Sequence, residues 1–379
     1  MQDVLLTGSV AFIITFLAIP IVLQIAEEKK LLDLPNQRKI HKVPIPSLGG
    51  VGMFGGFLLA SLLSISTNLN PEFQYFFAAA VVIFFIGLKD DLVVLSATKK
   101  FIGQIIAASI IIHLGGIKIT SMHGLLGFTE VSEGFSMAIS YLTIIVVINS
   151  YNLIDGVDGL AGTLGLFTML IFGSYFFAVD MPAYSLLAFS MAGSLLAFLI
   201  FNQHPAKIFM GDSGSLMIGL VNSILVIKFI TVADSPAVIL PVESAVAIGF
   251  SILMVPLFDT LRVFGIRIFK GKSPFIPDRN HLHHLLLDRG FRHQSVTTFC
   301  VALNVLFVAF AYFFRWMGPT YVLLVMFTAA FSGIAFFYYF RRKPKRFVAK
   351  HLNEAEELGQ PVTPKIVPLT KETAIVEQQ

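Results

Sequence analysis

Eleven apolar runs, each close to the twenty or so residues that an α-helix needs to cross a bilayer, set the limits on this chain. They lie near residues 4–26, 48–66, 72–88, 98–115, 135–151, 162–179, 183–201, 214–231, 237–258, 295–314 and 320–340. In hydrocarbon a backbone must satisfy its own N–H and C=O groups, so runs of this kind fold as helices. The expected fold is all-α: a polytopic integral membrane protein of about eleven transmembrane helices over residues 1–340, with a basic, disordered tail over 341–379. Only 13% of the 379 residues are charged and 56% are hydrophobic, which excludes an ordinary soluble domain. The first run lacks a basic flank and a small-residue cleavage site, and reads as a retained span. The lone Cys300 excludes an intramolecular disulfide and a cysteine metal cluster, and reads as a small buried hydrophobe.

Loop charge sets the orientation. With the amino terminus outside, 24 of the 27 lysines and arginines fall in inward loops or the tail, leaving Lys118, Lys228 and Arg315 outside. The carboxyl terminus is then cytoplasmic. The one sizeable outer segment, 115–134, is glycine-rich and carries no motif, and no internal repeat is visible.

Five polar clusters interrupt the apolar pattern, all on the inward side. The most telling is NSYNLIDGVDGLA at 149–161, between two spans. Asn149, Asn152, Asp155 and Asp158 recur at three-residue spacing, more polarity than a simple reversal needs. A carboxylate at helix-centre depth costs roughly 2.5–3.5 kcal/mol on insertion scales, so such groups face a protein or water-filled cavity. KDDLVVLSATKK at 89–100 places Asp90 beside Asp91 at a helix end. Two like charges about 4 Å apart cost about 4 kcal/mol at an effective dielectric of 20. Lys89, Lys99, a divalent cation or a retained proton must relieve that.

NQHPAKIFMGDSGS at 202–215 puts Asp212 and Ser213 at a helix start, where backbone N–H groups favour an anion and a carboxylate can hold Mg²⁺ against a phosphate. Simple capping by Asp212 or Ser213 is the plain alternative, and His204 reads as background. DLPNQRKIH at 33–41 offers Arg38, Lys39 and His41 as phosphate contacts, or as an inward-side anchor. PDRNHLHH at 277–284, in the long inward segment 259–293, supplies Arg279, His281, His283 and His284. The histidines are too crowded for one helical face, so a phosphate or nucleotide cradle fits them better than zinc. Together the clusters point to a reaction between a soluble phosphorylated donor and a lipid acceptor at one membrane face.

These motifs, Asp90-Asp91, NxxNxxDGxDGLA, PAKIFMGDSGS and RxHxHH, resemble the polyprenyl-phosphate N-acetylhexosamine-1-phosphate transferases, over about residues 1–340. The HxHH form is similar to the WecA- and TagO-type branch that uses UDP-GlcNAc. The resemblance implies transfer of N-acetylglucosamine 1-phosphate to undecaprenyl phosphate with release of UMP, starting a cell-surface polysaccharide or teichoic acid. Asp212 and Asn152 would hold Mg²⁺ (or Mn²⁺). Asp90 or Asp91 would deprotonate or orient the lipid phosphate, and Asp155 and Asp158 would position nucleotide and sugar. Arg279 and the three histidines would face the sugar phosphate, with Asn149, Lys99, Arg38 and His41 as further substrate contacts. It implies a multi-pass protein of the bacterial plasma membrane. Nucleic acid is not an expected partner, and a homodimer is left open. Another UDP-N-acetylhexosamine donor is the nearest alternative. An intramembrane prenyltransferase would show Asp-x-x-x-Asp repeats, and a transporter would carry its charges near the midplane, often with inverted repeats.

Overall fold

Leucine, phenylalanine, isoleucine and alanine fill the apolar runs, and all but the ninth are largely helical in the computed structural model, which describes residues 2–33, 44–235, 238–271 and 281–339. In the ninth, residues 238–244 are irregular and helix starts at Ala245. The helices are α1 (Gln2–Glu28), α2 (Gly49–Ser64), α3 (Glu72–Leu92), α4 (Ala97–Ser109, running into a π-helical turn Ile110–Leu114), α5 (Glu133–Ile154), α6 (Leu160–Ala178) and α7 (Pro182–Asn202). They continue as α8 (Gly211–Ala233), α9 (Ala245–Ile252), α10 (Met254–Phe269), α11 (Leu282–Leu287), α12 (His293–Phe313) and α13 (Pro319–Tyr339). The only strands among the described residues form two small antiparallel pairs: β1 (Leu32–Asp33) with β2 (Ile45–Pro46), and β3 (Ser121–Leu125) with β4 (Phe128–Glu130). The β3–β4 hairpin lies within residues 115–134, read from the sequence as a glycine-rich loop without a motif.

Among the described residues, eight helices are long and apolar enough to cross a membrane, or nine if the bent pair α9–α10 is one span. The helix α2, with 16 residues, is short for a full crossing. The largest departure from expectation lies in that bent pair. The run 237–258 reads as one straight span, but the chain turns by 84° at the break between α9 and α10. Residues 259–269, expected in a loop, continue α10. Hydropathy registers how apolar a run is and carries no information about its direction. The helix α10 is two-faced: Asp259, Arg262 and Arg267 are buried while Leu261, Ile268 and Phe269 are exposed.

The helix α8 is the axis of the first of two units into which the chain divides, residues 1–327 and 328–379. Nearly every residue of α8 from Ser213 to Ile230 is buried, against α2, α3 and α5. Some buried hydroxyls return to their own backbone: Ser223 Oγ donates to the Leu220 carbonyl at 2.7 Å and Ser190 Oγ to Leu187 at 2.8 Å. Ser190 Oγ also meets Ser61 Oγ of α2 at 2.7 Å, a polar link between helices. The carboxyl ends of α3, α5 and α7 meet the amino ends of α2, α4, α8 and α12 at one end of this unit. In the second unit only residues 328–339, the remainder of α13, are described.

Candidate active site

Asp212, in the first turn of α8, is the hub of that end. Its Oδ1 accepts the Asn152 amide at 2.9 Å, and the same amide reaches Ser215 Oγ at 3.1 Å. Its Oδ2 receives the Lys100 ammonium. Lys100 also reaches Asp90 Oδ2 at 2.6 Å, so one lysine bridges carboxylates from α3 and α8. Asp90 Oδ1 accepts the backbone N–H of Leu95 at 2.5 Å.

Asp91 does different work from its neighbour. It accepts the backbone N–H groups of Asp212 at 2.6 Å and Ser213 at 3.0 Å, and the Ser213 hydroxyl at 2.7 Å. No residue of α8's own leading segment caps that helix; a carboxylate from α3 takes the positive end of the dipole. Neither Asp212 nor Ser213 caps the helix, so the plain alternative does not hold, and the amides expected to favour an anion are taken by Asp91. Gly211 makes the close approach possible: its φ is +71°, and a Cβ there would lie 2.6 Å from Asp91 Oδ2.

Asp155 ends α5 and faces the same cluster. Among the described residues no group donates a hydrogen bond to its carboxylate. Burial, followed by the charges of Asp212, Asp91 and Asp158, pushes it up to about 8. Asp91, Asp155 and Asp212 with Asp90 thus bring four carboxylates together, two of them, Asp90 and Asp212, joined by Lys100.

Asp158 turns away to a second group. Its Oδ2 lies 2.6 Å from His204 Nδ1 and 3.3 Å from His293 Nδ1. Burial raises the Asp158 carboxyl, and the two imidazoles more than reverse that, leaving it below the usual carboxylate range. Asn202 ties the loop after α7 to this turn, accepting the Gly159 N–H at 2.9 Å and donating to the Ile208 carbonyl at 2.8 Å.

The histidine segment is anchored by Asp259. That carboxylate accepts His281 Nδ1 at 2.9 Å, the Leu282 N–H at 2.9 Å and Arg262 at 2.8 Å. His283 is buried against Gly156, where a Cβ would meet His283 Nε2 at 2.5 Å, so the turn after Asp155 needs glycine for this contact. Burial, with His284 beside it, pushes the His283 imidazole down to about 3. It is neutral at physiological pH.

Residues 73–230 match the family described as Glycosyl transferase family 4. A decaprenyl-phosphate N-acetylglucosaminephosphotransferase of Mycobacterium leprae is 33% identical over 326 residues, covering 78% of this chain and 80% of the relative. Undecaprenyl-phosphate alpha-N-acetylglucosaminyl 1-phosphate transferases of Yersinia pestis and Escherichia coli K12 are each 28% identical, covering 79% and 84% of this chain and 82% and 87% of the relatives. The chain belongs to glycosyl transferase family 4.

The family region therefore holds most of the acidic cluster, and the remaining expectations can be placed against it. Asp90, Asp91, Asn152, Asp155 and Asp212 converge; Asn149 stands one step back, its Nδ2 donating to Gln104 Oε1 at 2.7 Å. Lys99 does not join them. It is exposed, and Lys100 holds the place expected for it. Helix phase explains the exchange, since Gly103, Gln104, Ala107 and Ala108 form the buried face of α4 and Lys100 shares it. His281 and His283 are buried, and His284 is half-buried. Arg38, His41 and Arg279 lie outside the described residues. Lys100, Gln104, Ser215 and His293 are not singled out by the sequence reading, which offers Ser213 only as part of a helix start and His204 as background. The first two are legible in the phase of α4; His204 and His293 carry no local signal, because their partner is 46 and 135 positions away.

The family cluster suits a hard divalent cation. Carboxylate oxygens are what Mg²⁺ selects, and four acids with one lysine leave net negative charge for it to neutralise. Asp155, with no donor among the described residues, and Asp212 are the fitting ligands. Asn152 here turns its N–H to Asp212; as a ligand it would offer Oδ1.

Proposed function

We propose that this chain transfers N-acetylglucosamine 1-phosphate from UDP-N-acetylglucosamine to a polyprenyl phosphate, undecaprenyl phosphate being the expected acceptor. UMP is released and polyprenyl-diphospho-N-acetylglucosamine formed, the first lipid-linked unit of a cell-surface polysaccharide or teichoic acid. The observation that carries this reading is the meeting of Asp90, Asp91, Asp155 and Asp212 at one end of a helical bundle, with Lys100 joining Asp90 to Asp212. The relatives named above supply the donor sugar and the acceptor class.

An oxygen of the acceptor phosphate attacks the sugar-bearing phosphorus of the donor, the bridging P–O bond breaks, and its electron pair leaves with UMP. The acceptor is already anionic, so the protein's task is to align it and offset charge. Mg²⁺ held by Asp212, Asp155 and Asn152 would screen the pyrophosphate and the departing UMP. Lys100 reaches the incoming phosphates, and Asp90 keeps its ammonium at the cluster. Asp91, with three donors on its carboxylate, holds the start of α8, and Asp212 with it, in place. The loop charge count supports a cytoplasmic position for this end, where a nucleotide sugar is available.

The test uses purified full-length protein in detergent, undecaprenyl phosphate, Mg²⁺ and radiolabelled UDP-N-acetylglucosamine. Label should enter a butanol-extractable lipid with one UMP released per transfer, and chelator should stop it. Other UDP-N-acetylhexosamines, run in parallel, should be poorer donors. No lipid-linked label from any of them would overturn the proposal.

A further inference from the structure

We propose that Asp158, His204 and His293 form a second metal site, for a transition ion such as Zn²⁺, separate from the acidic cluster at Asp212. The three residues come from distant parts of the chain: the turn between α5 and α6, the loop between α7 and α8, and the first position of α12. One ligand atom from each lies within 4.8 Å of the other two. Asp158 Oδ2 sits 2.6 Å from His204 Nδ1 and 3.3 Å from His293 Nδ1. Ligands held at about 2.0–2.1 Å around tetrahedral zinc are themselves roughly 3.3 Å apart. The His293–Asp158 pair already has that spacing, and His204 has to move out from its 2.6 Å contact with Asp158 to reach it.

An ion-paired histidine would account for His204, which has hydrogen-bond distance to the carboxylate. It accounts less fully for His293, which lies 3.3 Å from the same oxygen without a hydrogen bond to it. Its Nδ1 is buried and makes no hydrogen bond among the described residues, although it lies beside the Asp158 oxygen. The two imidazole rings are also only 4.5 Å apart, centre to centre. Two imidazoles converging on one carboxylate oxygen, one of them without a hydrogen bond, is what a three-ligand site looks like before it is loaded.

The surroundings supply the rest. A cavity of about 530 Å³ opens beside the cluster, lined by Asp158, His204, Gln203, Gln294 and Thr297. It leaves room for an ion to enter and for a water as fourth ligand. Asp158 is held from behind, its carbonyl accepting Thr297 Oγ1 at 3.3 Å and the next residue's N–H bonded to Asn202. The ligand chemistry separates the two sites. Two imidazoles and one carboxylate favour Zn²⁺, Co²⁺ or Ni²⁺, whereas the all-oxygen cluster at Asp212 favours Mg²⁺ or Mn²⁺. A loaded ion would cross-link the α5–α6 turn, the α7–α8 loop and α12, adding stability wherever it binds only the folded state.

The experiment is a Co²⁺ titration of full-length protein in detergent after chelation and dialysis, followed by visible absorption. One equivalent should give the strong d–d bands of low-coordinate Co²⁺, displaced by one equivalent of Zn²⁺. His204→Ala and His293→Ala should each weaken binding at least tenfold, while Asp212→Asn and His284→Ala leave it within twofold. Co²⁺ bands unchanged in both histidine variants, bands lost in Asp212→Asn, or no bands at all would each overturn the site. Should the histidine variants not fold, wild-type protein decides: saturating Zn²⁺ should protect His204 and His293 from diethyl pyrocarbonate. Equal modification with and without Zn²⁺ would refute the proposal.

Discussion

Asp155 and Asp259 are both carboxylates drawn out of bulk water, and their surroundings differ sharply. Asp259 accepts three hydrogen bonds, from Arg262, His281 and the Leu282 amide, and so is matched in charge and donors. Asp155 receives none among the described residues and faces three further acids. A buried acid that is fully matched organises structure, and here it fixes where the histidine segment starts. A buried acid left short of donors beside others of its sign is costly, and is retained only where something from outside completes it. The contrast separates scaffold from chemistry at one end of one bundle.

Five substitutions break or sharpen that contrast, from the largest expected effect to the smallest. Asp212→Asn keeps the shape and removes the charge. Turnover should fall a hundredfold or more, about 3 kcal/mol of transition-state stabilisation, with the thermal midpoint close to wild type. Wild-type turnover would remove Asp212 from the site. Asp259→Asn should behave the opposite way. A charged acceptor is lost to a buried arginine, so stability should drop by about 2 kcal/mol in a denaturation curve. Turnover of the protein that remains folded should change less than it does for Asp212→Asn; a larger loss would make Asp259 part of the chemistry.

Lys100→Gln and Lys99→Gln form a matched pair on neighbouring positions. The first should lower kcat/KM about tenfold, roughly 1.4 kcal/mol, and the second should leave it within twofold. Equal effects would contradict the helix phase. Asp155→Asn carries the smallest expected shift and the most telling sign. A carboxyl raised to about 8 is protonated in the folded state where the unfolded chain has already ionised. Stability then declines as pH rises from about 4 toward 8, because the unfolded state binds fewer protons. Removing the ionisable group should flatten that slope. The partly open carboxylate is screened, so the gain at pH 7 is roughly 1 kcal/mol in metal-free buffer. Thermal scans at pH 5 and pH 8 with chelator check it; an unchanged slope would show that Asp155 is already ionised.

Much of this arrangement is legible before any coordinates. Asp-Asp, Asn-x-x-Asn-x-x-Asp and the start of α8 are local patterns flanked by apolar helices, and local patterns survive folding. Assigning roles within them is harder. Asp90 and Asp91 are neighbours in sequence, but successive helical positions point about 100° apart, so one meets Lys100 and the other meets α8. The choice between Lys99 and Lys100 depends on the same phase, and here the buried Gly103-Gln104 and Ala107-Ala108 face would have decided it. The bend between α9 and α10 leaves no mark in hydropathy, and His204 and His293 meet Asp158 only through tertiary packing.

The clamp of Asp91 on α8 bears on competition for the site. A helix start is a general anion receptor, and a cell is rich in free phosphate. Here the receptor is filled by a group tethered to the same molecule, whose effective concentration is in the millimolar range or above. Loose inorganic anions must displace that tethered carboxylate to bind the first amides of α8, and they gain no second contact in return. Inorganic phosphate should therefore be a weak inhibitor, and an inhibitor aimed at this end of the protein gains little from imitating a bare phosphate at the helix start.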